Sequence, residues 1–185
     1  GLAAEVLAEF GRIDILVNAV GGSTIIDAPA RTVDELSFRD WKRLIDFNLD
    51  ATFLMCNAVV PVMKQGGGGK IVNLSSIAGR GLNVGSSSAY AAAKGGIIAF
   101  TRKLSIELGP HGITVNAIAP SLTLTERIRP FWEKRSAAAR EREEARVPLR
   151  RVAEAADQAK VIAFLASSDA DFVTGVTIDV NGGQS

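Results

Sequence analysis

Short apolar runs rich in β-branched residues alternate with long helical stretches along this chain, and this alternation is the strongest constraint on its fold. The candidate strands are residues 13–19, 70–75, 113–118 and 176–180. They lack strict polar–apolar alternation, as expected of parallel strands that are buried on both faces. The intervening helical stretches, at about 37–64, 88–108 and 153–166, are long enough to cross over between parallel strands. The sequence therefore predicts an α/β fold with one doubly wound parallel sheet.

Length and charge narrow the classes of protein to consider. The 185 residues suffice for a single domain with its own core, so we treat residues 1–185 as one domain. The net charge of +1 creates no strong overall field, so no nucleic-acid partner is expected. We find no apolar run of the ~20 residues that span a bilayer and expect no membrane partner. The single cysteine, Cys56, excludes an internal disulfide and fits a cytoplasmic protein.

Residues 126–151 differ in composition from the rest of the chain. They contain nine Arg or Lys residues against five Glu residues, and two prolines interrupt a largely helical pattern. Sites in open α/β sheets lie at the carboxyl ends of the strands, so a segment that follows such an end can cover the site. We predict a substrate lid here. A pair of solvated helices is the alternative.

Tyr90 is the only tyrosine of the chain, and Lys94 follows it by four residues. In a helix this spacing puts both side chains on one face, one turn apart. A nearby positive charge favours the phenolate and lowers the tyrosine pKa, which makes a group that can both donate and accept a proton. Ser76, fourteen residues before Tyr90, can then hold the oxygen that gains or loses that proton. The alternative is an ordinary tyrosine beside a solvated lysine.

Asn48 interrupts an apolar helical stretch, Leu-Ile-Asp-Phe-Asn-Leu. Asparagine is a poor residue for a helix interior because its amide competes for backbone hydrogen bonds. Local misfits of this kind are typical of functional sites. The alternative is a buried asparagine that only satisfies backbone groups of its own helix.

Six motifs occur in order along the chain. They are residues 17–22 (Val-Asn-Ala-Val-Gly-Gly), Asn48 in Phe-Asn-Leu-Asp, residues 71–79, the Tyr90/Lys94 pair, residues 115–120 and residues 174–183. Together they resemble the short-chain dehydrogenase/reductase family over essentially the whole chain. The resemblance implies a Rossmann-like fold. It also implies an NAD(P)-dependent oxidoreductase that transfers a hydride between nicotinamide and a secondary alcohol or ketone.

The resemblance also implies roles for the candidate catalytic residues. Tyr90 is implied as the general acid/base, and Lys94 as the group that lowers its pKa and binds the nicotinamide ribose. Ser76, rather than its neighbour Ser75, is implied to contact the substrate oxygen, with a serine that merely caps a turn as the alternative. Asn48 is implied as part of a proton relay with water and Lys94.

A set of cofactor-binding residues at strand ends is implied in the same way. Besides Tyr90 and Lys94, they are Asn18, Ala19, Gly21, Pro120, Ser121, Thr123 and Thr125. The chain departs from the family at Ala19, where the usual asparagine is lost together with one side-chain hydrogen bond. It departs again at Ser121, where the family usually has glycine, so the backbone approaches the nicotinamide differently. The choice between NAD and NADP stays open.

The glycine-rich turn that binds the cofactor phosphates does not occur in these 185 residues. The four glycines at residues 66–69 precede a strand, so they cannot present helix amides to a pyrophosphate. We therefore expect the chain to lack the family's N-terminal strands, roughly two βαβ units of ~30 residues each. We also expect an exposed apolar edge at its first strand. Alone, the 185 residues should neither bind dinucleotide tightly nor turn over.

Three functions are carried forward. A 3-oxoacyl thioester is the first candidate substrate, because the motif set resembles 3-oxoacyl-carrier-protein reductases and the basic residues 126–151 suit an acidic carrier. A small cyclic alcohol, diol or sugar is the second, since lids transfer poorly between relatives. A non-catalytic scaffold or binding subunit is the alternative of another class, and the constellation around Tyr90 argues against it.

A small-molecule substrate and further copies of the chain are the expected partners. The helix around Tyr90 is rich in alanine and glycine, and the resemblance implies that this helix builds a dimer or tetramer. Close packing on its own sheet is the alternative. No catalytic metal is predicted, because the only histidine, His111, lies in a Gly-Pro-His-Gly turn and no Cys/His/Asp cluster has zinc-ligand spacing.

Overall fold

The computed structural model describes residues 1–82 and 85–184. In chain order the strands are β1 Ile15–Asn18, β2 Gly69–Leu74, β3 Ile113–Pro120, β4 Thr123–Leu124, β5 Ala153–Glu154 and β6 Thr177–Val180. The α-helices are α1 Leu2–Phe10, α2 Phe38–Ile45, α3 Ala51–Gln65, α4 Ser88–Leu108, α5 Arg129–Glu133, α6 Ala137–Ala145 and α7 Ala155–Ala166. A π-helical turn at Asp46–Asp50 joins α2 to α3, and 3₁₀ turns occupy Ile77–Arg80, Gly109–His111 and Ser168–Ala170.

Four parallel strands form the central sheet in the order β1-β2-β3-β6. Successive side chains of a strand point to opposite faces, so Ile71 and Val72 of β2 enter different cores. Ile71 packs with Cys56 of α3 and Leu108 of α4. Val72 packs with Leu165 of α7 on the other face. Helices therefore cover both faces, and the predicted doubly wound α/β fold is confirmed. Strands β4 and β5 form a separate two-stranded sheet.

The predicted strands and long helices agree with the structure to within two residues at each end. Two differences lie inside the predicted spans. The helix predicted at about 37–64 contains the π-helical turn, and the helix predicted at about 153–166 begins with β5. Helix α7 starts only after Glu154, because Glu154 and Asp157 exchange side-chain-to-backbone hydrogen bonds in a capping box. Helices α5 and α6 lie within the segment predicted as a lid.

Strand β1 lies at one edge of the sheet, as the sequence predicts. Its apolar side chains Ile15 and Val17 are 48% and 38% exposed. Leu16, on the other face of the same strand, is buried in the core beneath α3. One face of β1 is therefore buried within the described chain, and the other leaves apolar side chains exposed.

The helical stretch Phe38–Gln65 is long and apolar enough to cross a membrane by length and composition alone. One helix that passes this test of length and composition is weak evidence for a membrane span. A core helix of a soluble protein passes it as well. Here Cys56, Val59 and Met63 of α3 pack against the sheet, whereas Phe53 and Leu54 face outward.

Candidate active site

Helix α4 carries both members of the Tyr90/Lys94 pair near its N-terminus. Ser87 caps the helix, and its hydroxyl oxygen accepts a hydrogen bond from the Tyr90 backbone N–H at 3.4 Å. The Lys94 ammonium lies 5.8 Å from the centre of the Tyr90 ring. The spacing in the sequence therefore brings the two side chains together as predicted.

Ser76 follows β2, and its hydroxyl lies near enough to the Tyr90 hydroxyl to lower the pKa of that tyrosine. Its oxygen also accepts a bond from the Ala78 backbone N–H at 3.2 Å, so it caps the 3₁₀ turn as well. Ser75 points elsewhere, because its hydroxyl donates to the Lys94 carbonyl oxygen at 2.7 Å. The geometry therefore favours Ser76 over Ser75 as the partner of Tyr90.

Gly79 lets the turn that carries Ser76 lie directly on α4. A Cβ on Gly79 would sit 2.6 Å from the Lys94 carbonyl carbon and 2.8 Å from the Gly95 nitrogen. Both of those atoms belong to the helix backbone and cannot rotate away. The distance between the turn and α4, and with it the approach of Ser76 to Tyr90, depends on the absence of a side chain at this position.

Lys94 is buried, with 3% of its surface exposed. Its ammonium donates to the Leu74 carbonyl oxygen at 2.8 Å, at the end of β2. Burial disfavours the charged form and lowers the pKa of Lys94 to about 8. The lysine can therefore gain or lose a proton close to neutral pH.

The pKa of Tyr90 corrects one expectation. Burial raises this pKa, while the hydrogen bond with Ser76 and the charge of Arg127 lower it. The predicted lowering by Lys94 is wrong for this arrangement, since desolvation outweighs every favourable contact and Lys94 is not among them. At neutral pH Tyr90 therefore keeps its proton.

Asn48 lies fully buried in the π-helical turn. Its Nδ2 donates to the Leu44 carbonyl oxygen at 2.9 Å and to the Gly22 carbonyl oxygen at 3.1 Å. Its Oδ1 accepts from the Gly22 N–H at 2.9 Å. Asn48 thus satisfies its own helix, which was the alternative interpretation, and also fixes the loop that follows β1.

Gly21 brings this loop against the other candidate residues. A Cβ on Gly21 would lie 2.7 Å from Asn48 Oδ1 and 2.8 Å from Lys94 Nζ. The side chains of Asn48 and Lys94 therefore both lie against Gly21, where there is no room for a further side chain. No direct hydrogen bond joins Asn48 to Lys94 among those that the structure describes.

The remaining cofactor-binding candidates lie at the carboxyl ends of β1 and β3. Asn18 is buried, and its Nδ2 donates to Asn73 Oδ1 at 2.8 Å, so this amide group serves the sheet interior. Ala19, directly after β1, is exposed. Pro120 ends β3 in register with Val180 of β6.

Ser121, Thr123 and Thr125 follow β3. The Ser121 carbonyl oxygen accepts a bond from the Thr123 hydroxyl at 3.0 Å. Gln158 of α7 donates to the same Thr123 hydroxyl at 3.3 Å. The Thr125 oxygen accepts from the Ile128 N–H at 3.4 Å, so Thr125 stabilises the turn before α5. The sequence singled out the two threonines but missed Gln158, whose position on α7 gave no local signal.

Arg127 is a second residue that the sequence did not single out. Its guanidinium packs against Gly22, the glycine held by Asn48, and its charge acts on Tyr90. Within the predicted lid it looked like one of nine similar cations. Only the folded chain, which brings Arg127 to Gly22, separates it from the others.

Comparison with known proteins assigns the family. The family model described as "Enoyl-(Acyl carrier protein) reductase" matches residues 1–185. A solved short-chain dehydrogenase/reductase from Burkholderia xenovorans has a TM-score of 0.90 at 36% identity, covering 99% of this chain and 69% of that one. This chain belongs to the short-chain dehydrogenase/reductase family.

Several relatives of known activity are similar to it. D-threitol dehydrogenase of Mycolicibacterium smegmatis is 39% identical over 183 residues, covering 99% of this chain and 67% of that protein. Acetoacetyl-CoA reductase of Shinella zoogloeoides is 39% identical over 181 residues, covering 98% and 71%. 3-Oxoacyl-[acyl-carrier-protein] reductase of Salmonella typhimurium is 37% identical over 184 residues, covering 97% and 70%. The chain thus spans roughly two thirds of the length of these relatives.

Family membership makes this chain an NAD(P)-dependent oxidoreductase, which disfavours the scaffold alternative. A 3-oxoacyl-[acyl-carrier protein] reductase from Brucella melitensis, solved with bound NAD, has a TM-score of 0.85 at 35% identity, covering 98% of this chain and 66% of that one. The chemistry of the residues present suits the nicotinamide half of the cofactor, since the Lys94 ammonium is a hydrogen-bond donor at the carboxyl end of β2, the side on which open α/β sheets bind ligands. The described residues hold no cluster of three metal-ligating side chains.

Proposed function

We propose that this short-chain dehydrogenase/reductase moves a proton between Tyr90 and the oxygen of a secondary alcohol or ketone. One observation carries the proposal: the hydroxyls of Tyr90 and Ser76 lie close together at the carboxyl end of β2, and Lys94 is buried beside them. Tyr90 holds its proton at neutral pH, so it can donate that proton to a carbonyl oxygen that Ser76 also binds.

The proposed cofactor site combines Tyr90 and Lys94 with residues at the strand ends. They are Asn18, Ala19, Gly21, Pro120, Ser121, Thr123 and Thr125. The ammonium of Lys94 would bind the ribose of the nicotinamide, and Thr123 and Thr125 would contact its carboxamide. When bound, the nicotinamide supplies or accepts the hydride. The chain's own residues exclude water, orient the substrate and handle the proton.

Replacement of the phenol tests this proposal. We expect Tyr90→Phe in the full-length protein to lower kcat by at least 100-fold, because general acid–base catalysis contributes roughly 10²–10⁴-fold. The urea unfolding curve should stay close to that of the wild type, because the ring and its packing remain. A variant that keeps its kcat shows that another group delivers the proton. The difference in ultraviolet absorbance between wild type and variant also gives the phenolate titration of Tyr90 alone.

Two substrate classes remain in the proposal. A 3-oxoacyl thioester comes first, supported by the two reductases of such thioesters among the relatives and by the nine cations of residues 126–151. A small cyclic alcohol, diol or sugar is the second, supported by the threitol dehydrogenase at the same level of identity. Reduction of acetoacetyl-CoA compared with oxidation of threitol and cyclohexanol separates them. The substrate class whose kcat/KM is at least tenfold higher is assigned to this protein.

We also propose that residues 126–151 act as a lid and that the protein is a cytoplasmic homodimer or homotetramer. Arg127 supports the lid, because it reaches back to Gly22 over the site. Phe53 and Leu54 support association, since they leave an apolar patch on α3. Ala89 and Ala93 of α4 are fully buried within their own chain, which accounts for part of the small-residue pattern. Light scattering at micromolar concentration tests the assembly, and a monomer contradicts it.

A further inference from the structure

Arg127 lies in the turn between β4 and α5, and its guanidinium rests on the backbone of Gly22. A Cβ on Gly22 would lie 2.9 Å from Nη2 and 3.3 Å from Nη1 of Arg127. Gly22 is in turn bonded through both its N–H and its carbonyl oxygen to the Asn48 amide. The guanidinium therefore sits at a fixed edge of the candidate active site, although it belongs to the lid.

The charge of Arg127 is not neutralised within the described chain. Neighbouring arginines have partners: Arg129 pairs with Glu154, and Arg151 pairs with Asp157. Among residues 1–82 and 85–184, no carboxylate lies within 4.0 Å of the Arg127 guanidinium. No hydrogen bond from this guanidinium to described residues is found either. A rigid fork of five N–H donors is thus available beside the site.

The same guanidinium acts electrostatically on the proton-donating group. Its charge lowers the pKa of Tyr90, so the exposed Arg127 lies within electrostatic range of the partly buried tyrosine. A substrate whose reacting oxygen lies at Tyr90 would therefore extend toward Arg127. Guanidinium groups bind carboxylates and phosphates through two parallel charge-assisted hydrogen bonds.

We propose that Arg127 is a specificity residue that binds an anionic group, a carboxylate or a phosphate, on the alcohol or ketone whose oxygen reacts at Tyr90. This inference rests on the proposed proton transfer at Tyr90 and adds an anionic group to the alcohol or ketone that reacts there. It favours small oxo or hydroxy acids and sugar phosphates over neutral polyols. Gly22 takes part by its lack of a side chain, because a Cβ there would displace the guanidinium.

Two matched substrate pairs test the proposal with the full-length protein and its cofactor. Acetoacetate is compared with methyl acetoacetate, and dihydroxyacetone phosphate with dihydroxyacetone. Binding is measured by calorimetry and turnover by nicotinamide absorbance. We expect the wild type to prefer the anionic member of at least one pair, and the preferred pair then identifies carboxylate or phosphate.

Three variants test whether Arg127 causes the preference for the anionic substrate. Arg127→Gln should lower kcat/KM for the anionic member roughly 10- to 100-fold, as expected for charge-assisted hydrogen bonds, and leave the neutral member within about twofold. Arg127→Lys should recover part of the loss, since it keeps the charge but not the fork. Arg39→Gln is the matched control, because Arg39 is exposed on α2, outside residues 126–151, and its replacement removes the same charge. It should change neither member.

The outcomes separate this inference from the proposed function. A wild type that binds neither anion more tightly than its neutral partner overturns the inference, whether or not the substrates turn over. Equal losses for anionic and neutral members in Arg127→Gln overturn it as well. The proposed function stands in both cases as long as Tyr90→Phe abolishes turnover. Anion binding that depends on Arg127 and turnover that survives Tyr90→Phe would instead support the inference and overturn the proton-donor role.

Discussion

Asn48→Ala removes the side chain that ties the π-helical turn to the loop after β1. Three hydrogen bonds are lost, and the N–H and carbonyl oxygen of buried Gly22 and the carbonyl oxygen of Leu44 lose a partner. At about 1 kcal/mol for each bond, with more where a buried group stays unsatisfied, we expect unfolding to become easier by about 3 kcal/mol. Activity should fall as well, because Gly22 supports the Arg127 guanidinium and the Asn48 side chain also lies against Gly21.

Thr52→Val provides a matched comparison in the next turn of the same helix. Thr52 is buried, and its hydroxyl makes one described hydrogen bond, to the Asn48 carbonyl oxygen at 2.9 Å. Its replacement should cost about 1 kcal/mol. Urea unfolding followed by tryptophan fluorescence, to which Trp41 in the cluster of Leu44 contributes, measures both variants. If Asn48→Ala loses no more stability than Thr52→Val, the three bonds do not hold the loop and the reasoning is wrong.

Two further predictions concern the contact between α4 and the turn before it. Gly79→Ala should cost about 1–3 kcal/mol and lower kcat, because its Cβ would overlap the α4 backbone at 2.6 Å. On the facing helix, a Cβ at Gly95 would contact only the Gly79 carbonyl oxygen, at 3.6 Å. Gly95→Ala should therefore raise the free energy of unfolding in urea by up to about 1 kcal/mol. Equal losses of stability in the two variants would contradict the packing argument. Lys94 should make the protein more stable as pH rises above about 8 toward its unfolded pKa of ~10.4, by up to about 1.4 kcal/mol per pH unit, because the unfolded state then binds more protons. Lys94→Met should flatten this rise, and an unchanged slope would show that the burial of Lys94 is not its cause.

The elements of the fold were predictable because their signals are local. Each β-branched run and each long helical stretch stands in the printed sequence, and the cap at Ser87 marks the start of α4. The Tyr90/Lys94 spacing likewise fixes a shared helix face whatever the rest of the chain does. The π-helical turn was not predictable in the same way. Asn48 was recognised as a misfit, but its bonds run to Gly22, 26 residues earlier, and only the folded chain brings the two together.

Arg127 shows the same limit more strongly. It stands 105 positions after Gly22 in the sequence (127 − 22), and its approach depends on how β4, β5 and residues 126–151 pack beside the sheet. The electrostatics also depended on burial rather than on spacing. A lysine one turn from a tyrosine predicts a lower tyrosine pKa, but desolvation of the pair reverses that direction here.

Burial acts on Tyr90 and Lys94 in opposite directions, and this inverts their usual order as acids. The tyrosine pKa is raised above its ordinary value while the lysine pKa falls to about 8, so the ammonium of Lys94 is the stronger acid of the two. We therefore expect a phenolate formed when Tyr90 donates its proton to recover a proton that comes from Lys94. Reduction should accordingly slow as pH rises through about 8, because Lys94 then loses the proton that restores Tyr90. Measured under saturating cofactor and substrate, a kcat for reduction that stays constant from pH 7 to 9.5 would contradict this proton route. Lys94→Arg, whose guanidinium keeps its proton throughout that range and so cannot restore Tyr90, should leave kcat low at every pH and without this decline.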